Sequence, residues 1–174
     1  METNFDFKIN ACSPKNNSVF DSEDTKLSEA IYTIFPLETE DAVMSWGDEN
    51  ISLSYRYDIS TMIDDIIQML FALHNSNVGK WSVDWPSNTF ASNWDFNWFE
   101  NSLEIKAEWR EEFNASDYLS SHNLLKLKRE AFLNEWKKII DILLVNLEEC
   151  GYTCENITDM EMLIDASKLK FVKY

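Results

Sequence analysis

Apolar and polar positions change period several times along this chain of 174 residues. Phe5-Asp6-Phe7-Lys8-Ile9 alternates at period two, the pattern of a half-buried strand. Residues 12–28 are polar, contain Pro14 and read as a loop, and Ala30 to Phe35 is apolar enough for a strand closed by Pro36. Trp46-Gly47 reads as a turn. Ile51, Leu53, Tyr55 and Tyr57 alternate with Ser52, Ser54, Arg56 and Asp58, which predicts another strand. Ile63, Ile66, Ile67, Leu70 and Phe71 then recur at helical spacing, and Thr61 to Asp64 fits a capping box. Together they predict a helix over 61–75 that stops before Asn77 and Gly79.

Three period-two segments follow. Trp81, Val83 and Trp85 share one face, as do Trp94, Phe96 and Trp98, and then Leu103, Ile105, Ala107 and Trp109. Short connections between such segments predict an antiparallel meander covered on one side and wet on the other. After Asp117 the period becomes 3.6: Leu125, Phe132, Trp136, Ile139, Ile140, Leu143, Leu144 and Leu147 form one broad apolar stripe. Gly151 suits a left-handed cap after that helix, a last short helix is expected from Thr158, and Leu169 to Val172 reads as a terminal strand or tail. The order predicts an α+β fold, an antiparallel sheet packed on one face by a long C-terminal helix and a shorter central helix, as one domain over 1–174.

Charge changes the picture most. The chain has 31 Asp+Glu against 15 Lys+Arg, a formal net charge of -16. Solubility of a small domain needs a magnitude of only about 2–8, and a larger excess works against the compact state by self-repulsion. Residues 1–60 carry twelve acids and four bases, residues 61–120 ten and three, and residues 121–174 nine and eight. The negative field therefore belongs to the first two thirds, which points to a basic partner and disfavours direct nucleic-acid binding. Residues 38–49, with Glu38, Glu40, Asp41, Asp48 and Glu49 around the aromatic Trp46, form the expected docking face, joined by Glu108, Glu111 and Glu112; the alternative is a solvated surface whose repulsion opposes aggregation.

Motifs for chemistry are absent. The three glycines, Gly47, Gly79 and Gly151, form neither a phosphate-cradling loop nor a nucleophile elbow. Cys150 and Cys154 are spaced C-x3-C with only Cys12, His74 and His122 to complete a zinc site, so they read as ordinary thiols and no metal or cofactor is expected. His74 and His122 read as structural or solvated, and no enzyme is predicted. No secretory signal and no apolar run long enough to span a bilayer is visible, which predicts a cytoplasmic protein without membrane contact. The Trp-rich meander reads as the inward face of a sheet; its alternative is an exposed platform for sugar or another small ligand. Two further alternatives are a hydrolase or transferase built on an unrecognised carboxylate/His site, and a subunit of a larger assembly.

Tyr55-Arg56-Tyr57-Asp58-Ile59 leading into helix 61–75, then Trp81-Ser82-Val83-Asp84-Trp85 and Ser102-Leu103-Glu104-Ile105-Lys106-Ala107-Glu108-Trp109, is similar to the strand-helix-strand-strand layout of bacterial immunity proteins. Those proteins neutralise cognate toxins, including the toxins of contact-dependent growth inhibition. The resemblance is one of layout and covers about half the chain. It implies a cytoplasmic antitoxin-like protein that binds and blocks a basic toxin domain, often a nuclease, by protein–protein contact.

Overall fold

A computed structural model describes residues 7–87, 89–110 and 116–170. The fold is α+β, and its strands divide into two antiparallel sheets rather than one. The first has the order β1-β2-β3, from Phe7–Asn10, Ala42–Trp46 and Glu49–Leu53. The second has the order β4-β5-β6-β7, from Val78–Ser87, Phe90–Phe99, Ser102–Trp109 and Leu124–Lys128. The helices are α1 (Leu27–Ile34), α2 (Ser60–Asn75), the short α3 (Asp117–Ser121), α4 (Arg129–Glu149) and α5 (Met160–Lys168).

Aromatic rings join these layers. Trp46 of β2 lies 5.1 Å from Trp94 of β5 and 5.3 Å from Trp109 of β6, so the two sheets meet through indoles. Trp136 of α4 stacks on Trp85 of β4 at 5.8 Å and 19°. Phe132, one turn earlier on α4, lies 4.8 Å from Phe7 of β1. The meander and the long helix thus form as their periods predict, and the Trp face is the core: Trp46, Trp85, Trp94, Trp98 and Trp136 are buried and Trp81 and Trp109 half-buried. Of the seven Trp side chains none is fully exposed, and only Trp81 and Trp109 are partly open to solvent.

Several local expectations are corrected. Ala30 to Ile34 belongs to α1, with Phe35 as its C-cap, and not to a strand, because Leu27, Ala30, Ile31 and Ile34 bury one face at helical spacing. The helix starts inside the stretch read as loop, where the Glu29 carboxylate accepts from the amides of Thr25 and Lys26. Leu125 does not extend the α4 stripe: it faces the core from β7, opposite Ile105. The helix begins at Arg129, whose amide donates to Asn101 O at 2.8 Å and whose buried guanidinium donates to Ser76 O. Pro86 lies within β4 rather than closing it. Gly151 has φ +94° after α4, as a left-handed cap requires. Residues 169–170 are not in a strand, and 171–172 lie outside the described residues.

The strand expected through Tyr57 stops at Leu53. Tyr55–Ile59 is a π-helical turn running directly into α2, with Ser54 O accepting from both the Asp58 and Ile59 amides at 2.9 Å. Ser54 Oγ accepts from Tyr57 N at 3.3 Å, while Asp58 Oδ2 accepts from Ser54 N at 2.7 Å. The reciprocal cap is therefore Ser54 with Asp58. Thr61 instead turns its hydroxyl back to Tyr57 O at 2.7 Å.

Where α2 meets α5, the Asp64 carboxyl is raised above the ordinary aspartate pKa by burial and then by the neighbouring Asp159 carboxylate. A carboxyl with a raised folded-state pKa stabilises the fold while protonated, and that contribution is lost as pH rises from the ordinary aspartate range through the raised value. Asp64→Asn should therefore raise the melting temperature at neutral pH by about 1–2 °C, a value kept small by solvent screening. The gain should vanish at acidic pH, where the carboxyl is protonated in both states; thermal melts at the two pH values check this.

Candidate partner-binding cleft

The two-residue Gly47-Asp48 turn joins β2 and β3, and Gly47 takes φ +59°. Glycine at the first central position is the requirement of a type II′ hairpin. Alternation then sends Ala42, Met44 and Trp46 inward while Val43 and Ser45 face the other way. Trp46 is the last residue of β2, not part of the turn, and is wholly buried. Its Nε1 donates to His122 O at 2.8 Å. It cannot serve as the exposed aromatic anchor expected of it.

Residues after the second sheet's third strand return to clamp this hairpin. Ser116 caps α3 by accepting from Leu119 N at 3.2 Å, and its Oγ donates to Glu49 Oε1 at 2.8 Å. Asp48 N donates to the Tyr118 hydroxyl at 3.1 Å, and the Tyr118 ring stacks on His122 at 4.2 Å. Between β3, this α3 wall and the β4–β5 turn lies a cleft of about 530 Å³. Asp41, Glu49 and Asp58 line it together with hydroxyl-bearing Ser52, Ser54, Tyr57, Thr89 and Ser116, and no cationic side chain lines it among the described residues.

The three carboxylates are held in different ways. Asp41 Oδ2 accepts from Ser52 Oγ at 2.7 Å across the hairpin. Glu49 is half-buried beside Ser116. Asp58 is only 2 % exposed; its Oδ1 accepts from the hydroxyls of Ser87 and Thr89 and its Oδ2 from Ser54 N. Satisfying a buried carboxylate with donors rather than a cation is how such a group is tolerated.

Of the other residues expected on the docking face, Asp48 is exposed on the turn next to Glu49. Glu38 and Glu40 are exposed on the segment ahead of β2, outside the cleft lining, and Glu40 Oε2 accepts from Ser13 N at 3.0 Å. Glu108 points outward from β6, on the face where Glu104 pairs with Lys126, and does not line the cleft. Glu111 and Glu112 lie outside the described residues. The structure thus brings Asp41 and Glu49 together and adds Asp58, Ser54 and Ser116, which no local periodicity singled out. The one available signal was Ser54 and Asp58 at cap-like spacing.

Burial, then Glu40 and Asp41, raise the Cys12 thiol pKa, which disfavours the reactive thiolate. Cys150 is buried and Cys154 exposed, and no group of three His, Cys, Asp or Glu among the described residues could hold a metal. No described helix is long and apolar enough to cross a membrane. No family model, curated protein or solved structure matches the chain.

Proposed function

We propose that the chain is an antitoxin-like binding protein rather than an enzyme, and that it neutralises a cognate basic toxin domain by direct contact through its acidic hairpin. The observation carrying this reading is the cleft beside β3, lined among the described residues by three carboxylates and no cation, in a chain of net charge -16. A negative concavity attracts a basic surface over distance and speeds encounter. A toxin that acts on nucleic acid needs such a basic surface for phosphates, so covering it blocks the toxin at its substrate site. This action would take place in the cytoplasm, where the toxin's target lies.

The decisive assay pairs the chain with the protein encoded immediately upstream and measures binding together with loss of toxicity. Neither binding nor inhibition sinks the reading. Within a bound pair, replacing Asp41, Asp48 and Glu49 by lysine should slow association by about tenfold or more and flatten its dependence on salt. Stopped-flow association at several ionic strengths measures both. An unchanged rate would move the interface away from the hairpin.

A further inference from the structure

Resting on that partner-binding reading, we propose how the partner engages: an extended, basic segment of it adds to the free edge of β3 as a fourth strand of the first sheet. The ladder determines which backbone groups are on offer. Counting from the two-residue turn, Trp46 with Glu49, Met44 with Ile51 and Ala42 with Leu53 are the hydrogen-bonded pairs. Asn50 and Ser52 therefore direct their N–H and C=O groups away from β2, towards the cleft. The opposite edge checks this phase. Ile9 faces Met44, so its backbone must point away from β2, and it does: its N–H donates to Glu135 Oε2 at 2.7 Å and its carbonyl accepts from Lys138 Nζ at 3.2 Å.

That comparison also separates β3 from the other edges. An open edge is a liability that proteins blunt with charges, proline, short strands or covering side chains. The β1 edge is covered by the Glu135 and Lys138 pair of α4. β4 carries Pro86, and β7 carries Lys126 and Lys128. On β3, Asn50 and Ser52 are exposed and no described residue hydrogen-bonds their backbone outward. The edge is bordered instead by a cleft of about 530 Å³.

The acids give the occupant its chemistry. Glu49 lies on the same face of β3 as Ile51 and Leu53, whereas Asp41 is bonded to Ser52 on the opposite face. An added strand presents successive side chains to alternate faces, so it satisfies both acids with two cations an odd number of positions apart. Three apart matches the separation of Glu49 and Ser52. A second copy of this chain is the wrong occupant, since pairing two β3 edges sets like charges opposite each other.

The test uses an alternating peptide of about six residues with two lysines three positions apart, and the same peptide with glutamates instead, on the full-length chain. Amide exchange followed by NMR should show Asn50 and Ser52 slowed about tenfold or more by the lysine peptide and unaffected by the glutamate one. Ser52→Pro removes an outward amide without touching a β2 bond and should weaken peptide binding about tenfold. Ser52→Ala keeps the amide and removes only the hydroxyl bond to Asp41, so its loss of affinity should stay well below that of Ser52→Pro. No protection at Asn50 and Ser52, equal protection by the glutamate peptide, or self-association through β3 overturns the proposal. If Ser52→Pro still neutralises the upstream product with unchanged affinity while Asp41→Lys with Glu49→Lys does not, strand addition falls and the acidic-partner reading stands.

Discussion

Replacing Trp94 by alanine is expected to destabilise the fold by about 3–5 kcal/mol, the range for a fully buried aromatic. That is a large part of the roughly 5–15 kcal/mol available to a domain. Trp94 sits where the layers converge: its ring lies 5.1 Å from Trp46, 5.4 Å from Trp85, 5.8 Å from Phe90 and 6.5 Å from both Phe7 and Trp136. These partners come from β2, β4, β5, β1 and α4, so one truncation opens a cavity shared by both sheets and the long helix. The surroundings are held by separate elements and collapse poorly into the void, which favours the upper end of the range. Urea unfolding should show a lower midpoint at nearly constant slope.

Trp94→Phe should cost much less, about 1–2 kcal/mol. The indole N–H groups of Trp85, Trp94 and Trp136 are buried without a hydrogen-bond acceptor among the described residues. Edge-to-face rings, such as Trp85 against Trp94 at 84°, offer these donors only a π face. Removing one such donor recovers part of the packing loss. A phenylalanine as costly as alanine would mean that the indole N–H has a real acceptor.

What could be read in the chain follows from how far each signal reaches. The meander and α4 were legible because each is long enough for its period to be unambiguous and one face is wholly apolar. Ala30 to Phe35 was misread because a short apolar run fits either period; the deciding residue, Leu27, stood outside the run. Tyr55 and Tyr57 continued the alternation of β3, yet Tyr55 turns inward to donate to Ala11 O at 2.6 Å while Tyr57 stays exposed. The Ser54–Asp58 cap overrides the pattern there. Charge counting singled out Asp41 and Glu49, which line one cleft. It could not separate them from Glu38, Glu40 and Glu108, because cleft membership depends on what Ser116 and Thr89 bring from distant parts of the chain. The same blindness to tertiary partners made Trp46 look like an anchor.

Asp58→Ala should be the most damaging change in the cleft, at about 2–4 kcal/mol. The carboxylate joins three separate pieces of chain: the end of β3 through Ser54 N, the last residues of the π-helical turn through its own backbone, and the β4–β5 turn through the Ser87 and Thr89 hydroxyls. Alanine leaves Ser54 N–H without its side-chain acceptor and the buried Ser87 hydroxyl with only Thr89 Oγ1 at 3.2 Å, whereas the exposed Thr89 regains water. Asp58→Asn separates the roles. Its carbonyl oxygen still accepts from both hydroxyls, but its amide group faces the Ser54 N–H donor to donor, so about 1–2 kcal/mol should be lost. If the carboxylate only solvated itself, alanine and asparagine would cost the same. A gap between them in denaturant midpoint, with faster amide exchange at Ser54 in both variants, marks Asp58 as the tie between the two sheets. Partner binding should then weaken in Asp58→Ala even though the side chain is buried, because the wall carrying Thr89 is no longer held against β3.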